Sequence, residues 1–154
     1  LHWFTGAANA YRKLSPEQRE MLDPGFAEVC LEGLEITLPD YQDGIQAREA
    51  LGLEVNQLLD RYDLLVTPAM PTAAFDAGLE VPTGSGMRRW TEWTAFTYPF
   101  NLSQHPAASV PCGFTSEGLP AGLQIVAAKY REDKVLQASA AYEALCPFKM
   151  PTGG

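Results

Sequence analysis

The side chains that could act as nucleophile or base in this sequence are not placed in a recognisable catalytic motif. Acyl transfer needs a nucleophile beside a base, with donors for the developing oxyanion. No G-x-S-x-G turn occurs, and Ser85, the one serine between two glycines, lies in a polar stretch that no strand precedes. His105 stands before a proline and is interpreted as a packing or turn residue. We therefore predict no catalytic residue, no metal site and no cofactor in this chain.

The composition is that of an acidic globular protein, with 46% hydrophobic and 19% charged residues and a net charge of -8. This charge argues against nucleic acid, whose binding depends on clustered Lys and Arg. No apolar run approaches the roughly 18 residues of a membrane span, and no signal-peptide pattern is present. Cys30, Cys112 and Cys146 fit no zinc spacing and are predicted to be small buried hydrophobic residues. We expect a cytoplasmic protein with no nucleic-acid or membrane partner.

Five helices are predicted after residue 14, and four of them follow from start signals and apolar spacing. Ser15 and Gln18 form a capping-box pattern around Pro16, and Asp23 begins a second helix that ends near residue 33. Thr37 and Asp40 begin the longest helix, which runs to about residue 62. The last helix covers residues 132–145. Its predicted inward residues are Val135, Leu136, Ala138, Tyr142 and Leu145.

Three apolar runs predict strands, at residues 64–67, 107–114 and 123–128. Pro111 places the second strand at a sheet edge or a bulge. Residues 73–86 are rich in Gly and Pro and predict a loop, whereas the aromatic stretch 90–100 predicts a helix. This order of elements predicts an α/β fold in which helices cover a mixed β-sheet.

The domain organisation is predicted from the same elements. Residues 1–11 have helical spacing without a capping residue or an initial Met, so we expect residues 1–36 to be a helical segment that continues from a missing N-terminal part. Residues 37–146 are expected to form the main domain, and residues 147–154 a fraying tail.

Three stretches resemble sequence motifs of the amidase-signature family, and they occur in the same order and with the same spacing as in that family. Residues 62–71 (YDLLVTPAMP) are similar to its "YD-hydrophobic-TP-x-x-P" strand. Residues 97–102 (TYPFNL) and 106–113 (PAASVPCG) are similar to its "P-x-N-L … PA-x-S-x-P-x-G" segment, and residues 118–126 (GLPAGLQIV) to its "GLP-x-GLQ" hairpin. The resemblance covers residues 37–145 and implies the C-terminal part of the amidase-signature fold.

The resemblance implies a Ser–cis-Ser–Lys hydrolase that cleaves a carboxamide to an acid plus ammonia or an amine. The family's catalytic residues lie in its N-terminal portion, and its Gly/Ser-rich stretch has no counterpart here. The lysines of this chain match no catalytic position; they are Lys13, Lys129, Lys134 and Lys149. The implied partners are a small-molecule amide substrate and the N-terminal part of the same protein, with a homo-oligomer possible. The chain alone is expected to be an inactive fragment.

The resemblance also implies a substrate pocket whose mouth is lined by Trp90, Trp93, Thr94 and Thr97. The alternative is that Trp90, Trp93 and Phe96, spaced by three, are the core face of one helix. Two other functions stay open: the amidase component of a glutamine-dependent tRNA amidotransferase, and a non-catalytic binding module. A glutamine site needs a charged clamp, and Glu92 is the nearest acid, so the uncharged mouth favours a less polar amide.

Overall fold

The computed structural model describes residues 1–148, which form two compact units. The first unit is Leu1–Ala50, and the second begins at Leu51. The predicted tail lies outside the described residues from position 149 onward. The helices are α1 (His2–Tyr11), α2 (Pro16–Glu20), α3 (Pro24–Leu34), α4 (Leu38–Leu59), α5 (Tyr98–Ser103) and α6 (Glu132–Leu145). The strands are β1 (Leu65–Pro68), β2 (Ala107–Phe114) and β3 (Pro120–Val126). None of these helices is both long and apolar enough to cross a membrane.

Side-chain caps begin the helices of the first unit where the sequence predicted them. The Ser15 hydroxyl accepts a hydrogen bond from the Gln18 backbone N–H at 3.3 Å, while Gln18 Oε1 accepts one from the Ser15 N–H at 2.9 Å. Asp23 Oδ1 accepts from the Phe26 N–H at 3.0 Å. Each cap satisfies a backbone donor that the first helical turn leaves unpaired. The predicted helix starts are therefore confirmed.

Helix α1 packs against α3 around Ala7, Val29 and Cys30. Cys30 is fully buried, and burial raises the pKa of its thiol. The prediction that all three cysteines are buried is wrong for Cys112 and Cys146, which are exposed. Cys112 lies at an irregularity of an edge strand, and Cys146 follows the end of α6.

The three predicted strands form one sheet in the order β1-β3-β2. Both pairs are antiparallel, so the parallel pairing of the expected mixed sheet is not found among the described strands. A short turn joins β2 to β3, and a connection of that length allows only antiparallel pairing. The register shifts between Pro111 and Gly113, as predicted for Pro111, and Gly113 adopts a φ of 126° that favours glycine.

The core of the second unit contains residues from three elements: Val55 and Leu59 of α4, Phe100 of α5, and Val126 of β3. Helix α6 packs on β2 and β3, so both predicted covering helices contribute to this unit. However, the predicted inward stripe of α6 is wrong in part, because Leu136 is 68% and Leu145 is 83% exposed. Val135 is the buried residue, and successive helical residues diverge by about 100°, which turns its neighbour Leu136 away from the sheet.

Candidate substrate-binding segment

The four predicted pocket residues lie in one continuous stretch, residues 90–97, which we call the mouth segment. It is not the single helix predicted over residues 90–100. A 3-10 turn covers Trp90–Glu92, turns follow, and α5 begins at Tyr98 and continues past Asn101. The prediction of one aromatic helix is therefore wrong.

Two local features explain this conformation. The Thr94 hydroxyl donates to the Thr91 carbonyl at 3.1 Å, and the Thr97 hydroxyl donates to the Thr94 carbonyl at 3.1 Å. Side-chain bonds to carbonyls three residues earlier compete with the α-helical ladder. Pro99 lies in the first turn of α5, where its missing N–H leaves no helical bond unmade, so a new helix begins there.

Glu80, in the loop that precedes the mouth segment, holds both tryptophans. Its carboxylate Oε1 accepts a hydrogen bond from the Trp90 backbone N–H at 3.1 Å. Its carbonyl accepts one from the Trp93 indole N–H at 3.0 Å. Trp93 also contacts Phe75 edge to face, with ring centroids 5.7 Å apart. Both tryptophans are half-buried and lie outside the core cluster of their unit.

Gln124, which the sequence reasoning did not single out, fixes the other side of the mouth segment. Its side chain is only 4% exposed. The carboxamide N–H₂ donates to the Phe96 carbonyl at 2.8 Å and to the Thr67 hydroxyl at 2.9 Å. The signal was present in the sequence, since Gln124 is the one polar residue in the apolar run 123–128. Buried polar side chains in such runs need partners, and here one partner is in the mouth segment.

His105 lies just beyond the mouth segment and is buried, at 6% exposed. Asn56 Oδ1 can only accept, so Nε2 of the ring donates to it at 2.9 Å. In the neutral ring Nδ1 then carries no proton and accepts a hydrogen bond from the Ser103 hydroxyl at 2.9 Å. Ser103 is 2% exposed and therefore closed to a substrate. The pair ties α5 to α4, in agreement with the packing interpretation of His105. Burial, with a further contribution from Lys129, lowers the pKa of His105.

The buried histidine predicts a loss of stability in acid. Its folded pKa lies below the unfolded value near 6.5, so the unfolded chain takes up the proton first as the pH falls. The stabilisation is complete above about pH 6.5 and is lost as the pH decreases through that value toward the folded pKa. We expect the unfolding midpoint of the chain to fall on lowering the pH from 7.5 to about 5, and to fall less in His105→Gln.

The measurement is a series of thermal melts across that pH range. His2→Gln is the control, because it removes the other histidine of the sequence and leaves the Ser103–His105–Asn56 contacts intact. Equal acid losses in the His105→Gln variant and the parent chain would contradict the assignment.

The chain is similar in sequence and in fold to known amidases. The family model named Amidase matches residues 20–136. An acylamidase from Rhodococcus erythropolis is 33% identical over 150 residues, which cover 95% of this chain and 31% of the relative. A glutamyl-tRNA(Gln) amidotransferase subunit from Pediococcus pentosaceus is 39% identical over 106 residues, covering 68% of this chain and 21% of that protein. A crystal structure of an amidase superposes with a TM-score of 0.82 at 34% identity, covering 93% of this chain and 33% of the other.

The chain therefore belongs to the amidase family. The structural match also confirms the predicted α/β class and the C-terminal part of the amidase-signature fold. The chain spans between 21% and 33% of the length of these relatives.

Proposed function

We propose that this chain is the C-terminal part of an amidase that hydrolyses the carbon–nitrogen bond of a carboxamide to an acid plus ammonia or an amine. Membership of the amidase family over residues 20–136 carries the proposal. The catalytic Ser–cis-Ser–Lys centre is assigned to polypeptide outside this chain. The chain supplies part of the substrate pocket through Trp90, Trp93, Thr94 and Thr97.

The contacts of the mouth segment support a substrate of low polarity. The hydroxyl protons of Thr94 and Thr97 are already donated to backbone carbonyls, and the Trp93 indole N–H is donated to Glu80. A carboxamide with a bulky apolar group would therefore meet aromatic surface rather than free donors.

Glutamine is the competing substrate, because the tRNA amidotransferase component from P. pentosaceus is 39% identical over 106 residues. A zwitterion needs a charged partner at the site. Glu92 is the acid of the mouth segment, and its Oε1 already accepts a hydrogen bond from the Arg88 N–H at 3.1 Å. This use of the carboxylate favours the apolar amide. A non-catalytic binding module is the third candidate, and absence of amide turnover in the hybrid enzyme described below would favour it.

The proposed compartment is the cytoplasm. Cys112 and Cys146 are exposed and unpaired, and free exposed thiols are typical of a reducing compartment.

Substitutions in the mouth segment test the pocket directly. The protein to be assayed is a hybrid enzyme in which this chain replaces the matching segment of the R. erythropolis acylamidase. We expect Trp93→Ala to change the ratio of kcat/KM between an aromatic and a small aliphatic amide by about tenfold, since loss of pocket contacts discriminates by that order. Thr94→Asp is expected to lower kcat/KM for apolar amides because it places a charge beside them.

Steady-state kinetics on an amide panel, with thermal melts of each variant, give the result. Trp3→Ala, in the first unit, is the matched control and should leave the substrate ratio unchanged. If Trp93→Ala strongly lowered the melting temperature and left the ratio of the two kcat/KM values unchanged, Trp93 would be a core residue and not a pocket residue. Glutamine turnover that exceeds turnover of apolar amides would select the amidotransferase function.

A further inference from the structure

The side chain of Gln124 connects the mouth segment to the sheet. It projects from β3, is buried, and contacts the mouth segment at Phe96 and the end of β1 at Thr67. Glu80 anchors the segment at Trp90 and Trp93, while Gln124 anchors it at Phe96, between Thr94 and Thr97.

The donors and acceptors around Gln124 fix which way its carboxamide group is oriented. The Phe96 carbonyl can only accept, so the nitrogen of the carboxamide must face it. The Thr67 hydroxyl accepts from the same nitrogen and donates its own proton to the Pro68 carbonyl at 3.1 Å. Both protons of the amide group are thus committed, and the group has one orientation. A side chain with this fixed orientation sets the distance between the Phe96 backbone and the sheet.

We propose that Gln124 is a positioning residue that holds the mouth segment against the end of β1 and thereby sets the selectivity of the amidase for its acyl or amine group. The selectivity part rests on the proposed function, whereas the positioning part concerns this chain alone. Gln124 acts through Phe96, and the side chains of Thr94 and Thr97 follow the backbone that it holds.

Gln124→Glu is the sharpest substitution, because it keeps the shape and replaces the donor with an acceptor. An ionised carboxylate at position 124 repels the Phe96 carbonyl, so the hydrogen bond between them is lost. The free-energy cost of burying the polar side chain remains. Gln124→Met keeps a similar length without either hydrogen bond. Thr67→Val removes only the second partner and should have the smaller effect. Gln137→Glu, the same chemical change on the exposed side of α6, is the matched control.

The first arm of the experiment is hydrogen exchange in the 154-residue chain. The Thr97 N–H is bonded to the Thr94 carbonyl at 3.2 Å, and β2 pairs with β3 through Ser109 and Gln124. We expect Gln124→Glu to raise the exchange rate of the Thr97 amide by about tenfold, with the amides of the β2–β3 pair unchanged. An equal rise across the sheet, or no rise at Thr97, would overturn the positioning role.

The second arm measures kcat and KM in the acylamidase hybrid for an aromatic and an aliphatic amide. We expect Gln124→Glu to shift the ratio of the two kcat/KM values by about five- to tenfold, mainly through KM, with Gln137→Glu unchanged. A rise in Thr97 exchange without a shift in this ratio would overturn the selectivity role. If the unmodified hybrid hydrolyses no amide, the proposed function fails, and the exchange arm still decides whether Gln124 positions the segment.

Discussion

The 154-residue chain is expected to hydrolyse no amide on its own, with a rate at least about 10⁵-fold below that of the acylamidase hybrid. Removal of a nucleophile or its base from a serine hydrolase costs roughly six orders of magnitude. Acyl transfer requires nucleophile, base and oxyanion donors in one site. The family resemblance places these groups in the N-terminal portion, outside this chain.

The surroundings of the serines support this expectation. Ser15 caps α2, and the Ser139 hydroxyl donates to the Val135 carbonyl at 2.8 Å within α6. The Ser85 hydroxyl accepts from the Met87 N–H in a loop. Ser103 does contact a histidine, but both groups are buried and the imidazole is committed to Asn56. The exposed Ser15 hydroxyl donates to Glu17 Oε2 at 2.6 Å, but Ser15 is already committed as the N-cap of α2, and the histidine that contacts Ser103 is buried.

The measurement is an assay of purified chain against a panel of simple amides, alone and with the N-terminal two thirds of the R. erythropolis acylamidase added. We expect no turnover above the buffer rate from the chain alone. Turnover by the chain that disappears in Ser103→Ala would place the active centre inside this sequence and overturn the assignment. The acylamidase itself serves as the positive control.

Gly33→Ala is expected to destabilise the first unit by about 3 kcal/mol or more, although alanine is the better helix former. A Cβ at position 33 would overlap the Phe4 carbonyl oxygen and lie 2.7 Å from the Phe4 carbonyl carbon and 2.9 Å from the Ala8 Cβ. The Phe4 atoms are backbone, so α1 as a whole must move away from α3. The propensity gain of about 1 kcal/mol is too small to offset that displacement.

Gly6→Ala is the matched control, since Gly6 lies in α1 of the same unit and a Cβ there has no heavy atom within 4 Å. It should stabilise by roughly 0.5–1 kcal/mol through helix propensity alone. Urea unfolding of both variants, followed by circular dichroism, gives the two free energies. Stabilisation by Gly33→Ala as well as by Gly6→Ala would show that the α1–α3 contact tolerates a methyl group.

The sequence by itself determined the elements whose signals are local. The starts of α2 and α3 were predictable because a cap and its partner are three residues apart, within reach of each other before any tertiary contact forms. The bounds of α6, the strand β2 and its irregularity at Pro111 were predictable because apolar spacing and a proline are also local signals. The family was also recognisable, because its motifs are contiguous stretches, and the matched family model confirms it.

Only the tertiary structure decided which side chains are covered and which elements hold the candidate site. Leu136 and Leu145 have the same hydrophobicity as buried leucines, and their exposure depends on the angle at which α6 meets the sheet. The mouth segment has the apolar spacing of a helix; its threonines and Pro99 favour turns locally, but the bonds that anchor those turns come from Glu80 and Gln124. Those partners lie 10 and 28 residues away in the chain. A local pattern carries no information about a hydrogen bond that forms only when distant segments pack together, and the candidate site depends on bonds of that kind.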